Sequence, residues 1–280
     1  MSRQEPARER ELKGYAYEGS DDALFLRMFS GLEAYCDPIT GNFIDELPLP
    51  GGAACLELGA GGGSMVRRLA ARVGPTGQVV AVDRDPRFVT PAPNVRIVRH
   101  DLQLGLPESC RGPYSLIHAR LTLSHLPNRR QLLGELVDAL APGGWLVVGE
   151  FSQRPLRVLN SPSEDDSALF GRLMHRFTEI VMDHADIEDD WAHKVYAAMY
   201  ASGLERLRMT DHAENWTGGS PGAELNWVAV NLVRDRMIAA GVTEDEMRRF
   251  RQFTADLRAA SLSWEFVCVR GRKPAGLENS

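Results

Sequence analysis

The chain has few cysteines, almost no lysine, no basic excess and no long apolar run, and each shortage removes a class of function. Cys36, Cys55, Cys110 and Cys268 are too far apart for a redox pair or a zinc site. Cys55 and Cys268 sit inside apolar strand-like runs and read as buried thiols. Lysine occurs only as Lys13, Lys194 and Lys273, so arginine supplies the positive charge. The net charge is -6, the wrong sign for a protein whose main partner is nucleic acid. The paired arginines Arg67-Arg68 and Arg248-Arg249 fall on amphipathic helical patterns and read as solvated faces. No apolar run is long enough to span a bilayer, and Met1 to Lys13 is charged with no apolar centre, unlike a signal peptide. The expectation is a reduced, cytoplasmic protein with no membrane partner. Neither Gly-x-Ser-x-Gly nor a Cys/His pairing motif is present, which removes support for nucleophilic hydrolysis. No His/Cys/Asp set has metal-ligand spacing, so no metal is expected.

What is present is a glycine-dense turn in a telling place. Ala53 to Leu58 is an apolar run carrying Glu57, and Gly59-Ala60-Gly61-Gly62-Gly63-Ser64 follows at once. Met65 to Val73 then has helical spacing. A turn without side chains at the carboxyl end of a buried strand is where open α/β sheets bind ligands. A dinucleotide site wants a third glycine where Ser64 stands, and Glu57 would repel a pyrophosphate. The same carboxylate suits a cationic ligand. Gln78 to Val82 reads as a second strand ended by Asp83, which can accept from both hydroxyls of a ribose; a helix cap is the plainer alternative. Asn94 to Arg99 reads as a third strand leading to Asp101 and Leu102. Asp101 can accept from an exocyclic amine and Leu102 can cover a flat base; alone, Asp101 would be an ordinary turn residue. The three acids end successive strands and are expected to line one cleft.

These motifs resemble the class I methyltransferases that use S-adenosylmethionine. The likeness runs from about Cys55 to Phe151, with weaker agreement to Pro274. Glu57 to Gly63 resembles the first motif, Asp83 the ribose acid and Asp101-Leu102 the adenine pair. Tyr114 to Arg120 resembles the fourth strand, and Ala139 to Val148 the helix, turn and fifth strand. Ser115 departs from the Asp often found there. His118 to Leu121 and His125-Leu126-Pro127 are similar to actinobacterial small-molecule methyltransferases. The resemblance implies a Rossmann-like fold with a seven-stranded, mainly parallel sheet, helices on both faces, an inserted helical lid and an antiparallel last strand. It implies cofactor contacts at Glu57, Gly59, Ala60, Gly61, Gly63, Asp83, Arg84, Asp101, Leu102, Ala119 and Arg120, with Ala119 and Arg120 beside the sulfonium. It also implies methyl transfer to a small-molecule acceptor, on O, N or C, in the making of a specialised metabolite such as an antibiotic. A cyclase or regulator using the same cofactor pocket, and an NAD-dependent oxidoreductase, are the alternatives.

The rest of the chain is read from periodicity. Residues 1–50 are expected as an N-terminal helical lid, with Met1 to Gly14 loosely attached. Within it one helix opens at Ser20-Asp21-Asp22 and runs to Leu32, and a second runs from Thr40 to Leu47. Residues 51–280 are the core, with helical insertions at about 155–190 and 216–258. A helix from Asn128 is expected to stop at Gly143-Gly144. Ser161-Pro162-Ser163-Glu164 and Thr243-Glu244-Asp245-Glu246 read as capping boxes. Helices are expected near Trp191 to Ser202, Ala223 to Ala240 and Thr243 to Leu257, with strands at Leu204 to Met209 and Ser261 to Val269. Phe170, Met174, Phe177 and Trp216 are candidates for lining an acceptor pocket, although core packing explains them equally. His125, after the fourth strand, is the candidate general base, followed by His175 and His184; Glu150 is a candidate for orienting the acceptor. Tyr15 or Tyr17 is a candidate for closing over the cofactor. The inserted helices also offer a surface for a homodimer or higher oligomer.

Overall fold

The computed structural model describes residues 22–152, 154–185 and 190–276. Seven strands form one sheet: β1 (Ala54–Leu58), β2 (Gln78–Asp83), β3 (Val95–Arg99), β4 (Tyr114–Arg120), β5 (Leu140–Phe151), β7 (Glu205–His212) and β10 (Phe266–Arg272). Their order is β3-β2-β1-β4-β5-β10-β7. The first five are parallel, and β10 runs antiparallel to both β5 and β7. The order reverses between β1 and β4, which opens a crevice at their carboxyl ends.

Both sheet faces are apolar, as a covered parallel sheet requires. On one face Leu56, Leu58, Val80, Val82, Ile117 and Val148 pack under α3 (Arg129–Ala139) and α5 (Trp191–Ala201). On the other, Cys55, Val79, Ala81, Leu116 and Cys268 pack under α1 (Asp22–Asp45), α2 (Ser64–Val73) and the insertions. All four cysteines are buried free thiols. Burial pushes Cys36, Cys55 and Cys268 up to about 12, so they stay protonated and inert.

The insertions carry α4 (Glu164–Ala185), α6 (Pro221–Leu232), α7 (Arg234–Ala239) and α8 (Glu244–Ala255), with a small antiparallel sheet of β6 (Val158–Asn160), β9 (Ala260–Leu262) and β8 (Asn215–Thr217). Phe170, Met174, Phe177 and Trp216 are all buried in the same core as α1, so packing claims them. Among the described residues, no helix is long and apolar enough to cross a membrane.

Four local expectations are corrected. The two N-terminal helices are one, because α1 continues through Pro38. The buried Tyr35, Cys36, Thr40, Phe43 and Ile44 form one face across the proline, and their packing outweighs its missing N–H. The helix α3 stops at Ala139 rather than at Gly143-Gly144. Residues 140–144 instead join β5, where Gly143 N–H donates to Lys273 O at 3.0 Å and Lys273 N–H donates to Gly144 O at 2.8 Å. The cap of α4 is Ser163, not Ser161: its Oγ accepts from Asp166 N–H at 3.1 Å. That start puts Glu164, Asp165 and Asp166 in the first turn, where the helix dipole favours anions. The last strand is two strands, since the chain leaves the small sheet at Leu262 and enters the large one at Phe266. The capping box at Thr243 and Glu246 is present in full.

Candidate functional site

The glycine turn is built for close approach. Gly59, Gly61 and Gly63 have φ values of +66°, +50° and +78°, which side-chain-bearing residues avoid. A Cβ at Gly59 would overlap the Thr122 hydroxyl, and one at Gly61 would sit 3.2 Å from the Phe29 ring. Thus α1 lies over the turn through Phe29, whose ring also meets Phe88 edge-on at 5.6 Å. Ala60 is buried.

Asp83 closes the next strand, as expected. Its Oδ2 accepts from Gly61 N–H at 2.9 Å and its Oδ1 from Asp85 N–H at 2.7 Å. The carboxylate therefore points back across the turn from the neighbouring strand end. Asp101 Oδ1 accepts from Gln103 N–H at 2.9 Å, and its other oxygen lies 3.9 Å from Arg84 Nε. Leu102 is buried against the sheet, and its carbonyl accepts from Asn128 Nδ2 at 2.9 Å. Glu57, Asp83 and Asp101 do end adjacent strands on one edge.

Glu57 differs from its expected role. It is 2 % exposed and accepts from His118 Nδ1 at 2.6 Å. The two residues are cross-strand partners on β1 and β4, so the pleat puts both side chains on the same face. His118 is fully buried and its Nε2 has no hydrogen-bond partner. Glu57 is thus committed to a buried pair rather than open to a ligand.

A further half-buried carboxylate at this edge is Asp37, which sequence reasoning missed. Arg120, at the end of β4, donates to Asp37 Oδ1 at 2.5 Å and to Ser64 Oγ at 3.3 Å. Ser64 Oγ also donates to Asp37 Oδ1 at 3.1 Å. This triangle ties α1 to the first turn of α2 and to β4. Its local sequence, with Pro38 next, carries the signal of a helix break rather than of a binding group. Ala119 is fully buried, so it contributes backbone alone.

Beyond β4, Ser124 N–H and Oγ donate to Glu150 at 3.2 and 2.8 Å. Burial pushes Glu150 up to about 7, against the pull of those donors. It is 1 % exposed and holds the loop after β4. His125 is pushed down to about 4 by burial and then by Arg129. A general base works best near the ambient pH, and this imidazole is far below it. His175 stands on the outer face of α4, 73 % exposed and 3.4 Å from Glu179. Tyr15, Tyr17 and the side chain of His184 lie outside the described residues.

The structure also joins residues that sequence spacing did not connect. His193, Asp211 and Glu265 bring one donor atom each within 4.8 Å of one another.

The methyltransferase-domain family model matches residues 31–201. The chain belongs to this family, the class I methyltransferases that use S-adenosylmethionine. This methyltransferase chain is 34% identical over 111 residues to methyltransferase str2 of Strobilurus tenacellus, covering 39% of this chain and 40% of that protein. It is 35% identical over 111 residues to the trans-aconitate 2-methyltransferase of Variovorax paradoxus, covering 38% of this chain and 42% of that protein. It therefore spans less than half the length of these relatives. Among solved structures, YcgJ of Bacillus subtilis superposes with a TM-score of 0.53 at 15% identity, covering 86% of this chain and 100% of that one.

The residues present fit an adenosyl sulfonium. The turn offers glycine backbone in left-handed conformations, and Asp83 stands opposite it.

Proposed function

We propose that this protein transfers the methyl group of S-adenosylmethionine to a small organic acceptor, in the making of a specialised metabolite. The observation that carries the reading is the cradle itself: three left-handed glycines at the end of β1 facing the Asp83 carboxylate across the turn. When bound, the cofactor supplies an electrophilic methyl on a leaving group that departs neutral.

The chain's own residues do the rest. Asp83 holds the ribose hydroxyls, Asp101 and Leu102 hold the adenine with Arg84 alongside, and the backbone from Gly59 to Gly63 holds the amino-acid carboxylate. Glu57 is spent on His118, so the ammonium falls to Asp37, whose Oδ1 is held by Arg120 and Ser64 and whose second oxygen remains for it. The backbone of Ala119 and Arg120 flanks the sulfonium. A dedicated base is absent from this scheme, because His125 is too weak a base at neutral pH. Rate then comes from holding the acceptor atom in line with the methyl and excluding water. An amine, carboxylate or acidic phenol meets that condition.

The acceptor side is aromatic. Half-buried Phe151 and Trp264 cross edge-on with centroids 5.0 Å apart, at the end of β5. Tyr35, Trp216 and Phe177 back them. This lining favours an acceptor with an apolar or ring-bearing frame. The small-molecule acceptor named for the Variovorax relative, trans-aconitate, supports the size class.

The test is calorimetric titration with S-adenosylmethionine and its demethylated product, followed by radiolabelled methyl transfer to a panel of phenols, amines and carboxylic acids. Binding with transfer to at least one acceptor supports the reading. Absence of binding overturns it; binding without transfer to any acceptor leaves a cyclase or regulator using the same cradle.

A further inference from the structure

We propose that His193, Asp211 and Glu265 bind one divalent transition-metal ion, outside the cofactor cradle. The three residues come from separate elements. His193 is in the first turn of α5, Asp211 is near the end of β7, and Glu265 immediately precedes β10. Antiparallel pairing of β7 with β10 sets Asp211 opposite Val267, two residues from Glu265, and α5 carries His193 to the same sheet end. His193 Nε2 lies 3.5 Å from Glu265 Oε2 and 3.7 Å from Asp211 Oδ2. Separations of this size suit donors that share an ion at about 2.0–2.2 Å.

The histidine's second nitrogen adds an independent argument. Nδ1 is 2.6 Å from Asp190 Oδ1, so the Nδ1 proton is held by a carboxylate. In the neutral ring, Nε2 is then the lone-pair nitrogen, and it faces two carboxylate oxygens. Three acceptors pointing at one another repel unless a cation lies between them. Nε2 and Glu265 Oε2 are both shut off from solvent with no hydrogen-bond partner. A carboxylate behind a ligating histidine is the usual support for a bound metal, fixing tautomer and ring orientation. Arg154 holds the other Glu265 oxygen at 2.6 Å, which fixes that carboxylate and leaves Oε2 for the ion.

One imidazole and two carboxylates suit Zn2+ or Mn2+, and three protein donors leave positions for water or an oxygen ligand. The site lies at the acceptor edge of the sheet: Phe266, next to Glu265, pairs with Phe151 at the end of β5, and Ser152 N–H donates to Glu265 O at 3.0 Å.

The rival is a protonated His193 held by Asp190, Asp211 and Glu265 with no metal. Chelator-stripped protein titrated with Zn2+ by calorimetry separates the two. One equivalent is expected to bind, with affinity falling about 100-fold in His193→Ala and at least about tenfold in Asp211→Asn, Glu265→Gln and Asp190→Asn. His175→Ala, on the outer face of α4, should leave binding unchanged. Zn2+ should raise the melting temperature of the parent protein and not that of His193→Ala, while circular dichroism establishes that the variant is folded. The proposal is overturned by no stoichiometric binding to the parent, by equal binding to folded His193→Ala, or by His193 remaining an imidazolium by NMR at neutral pH with Zn2+ present.

Discussion

The two ends of the sheet build their sites in different ways. On the β3-β2-β1-β4 side, most groups at the crevice are glycine backbone and the acids Asp83 and Asp101, each placed by a short run of local sequence, with Asp37 added from α1. On the β5-β10-β7 side, the groups come from α1, α4, α5, β8 and the segment before β10, and they meet only because distant elements pack together. A ligand shared by many proteins suits the first construction, since a strand, a turn and a helix suffice to hold it. An acceptor particular to one protein suits the second, where insertions reshape the wall and leave the cradle untouched.

Breaking the buried Glu57–His118 pair should have the largest effect. His118→Ala strands a buried carboxylate under α1, costing about 3–5 kcal/mol and lowering the melting temperature by roughly 10 °C. A melting curve within a degree or two of the parent would show that Glu57 is free to serve the cofactor directly.

The pH dependence of stability separates two groups just beyond β4. Glu150 rises from 4.5 unfolded to about 7 folded, so the folded state holds an extra proton between those values and stability falls as pH rises through them. His125 drops from 6.5 to about 4, so the unfolded state holds the extra proton and stability rises with pH over that span. The slopes oppose each other between about 4.5 and 6.5, and Glu150 alone amounts to about 3 kcal/mol. Glu150→Gln should therefore gain stability as pH rises in this window, and His125→Gln should lose it. Urea titrations at several pH values measure both, and matching slopes in the two variants would refute the assignment.

Asp83→Ala should weaken S-adenosylmethionine binding about 100-fold, or ~2.7 kcal/mol, by removing two charge-assisted hydrogen bonds. Asp37→Asn should weaken it about tenfold, while Glu57→Gln at the same edge acts mainly on stability. Calorimetry on both gives the order; a larger loss at Glu57 would return the ammonium to it. The smallest effect lies farthest from the cradle. Thr243→Ala removes the cap of α8 and should cost about 1 kcal/mol with cofactor affinity unchanged.

The legible parts of this protein share a physical cause. Gly59, Gly61 and Asp83 could be placed from sequence because a strand, a tight turn and a helix lie within one short stretch. The misplaced parts share another. Residues 140–144 look like a helix end until Lys273 pairs with them. Pro38 looks like a helix break until the buried face on either side holds α1 together. Glu57 looks like a ligand group until β4 brings His118 within 2.6 Å.

The sequence by itself determined the alternation of strands and helices, the glycine turn and the acids that end the strands, because each depends on steric limits and hydrophobic period within a few residues. Only the tertiary structure decided which carboxylates are spent and which remain available, since that depends on the neighbour across a strand or under a helix. The sheet gave Glu57 to His118, α1 set Asp37 beside Arg120, and the pairing of β7 with β10 gathered His193, Asp211 and Glu265 from segments that no spacing rule connects.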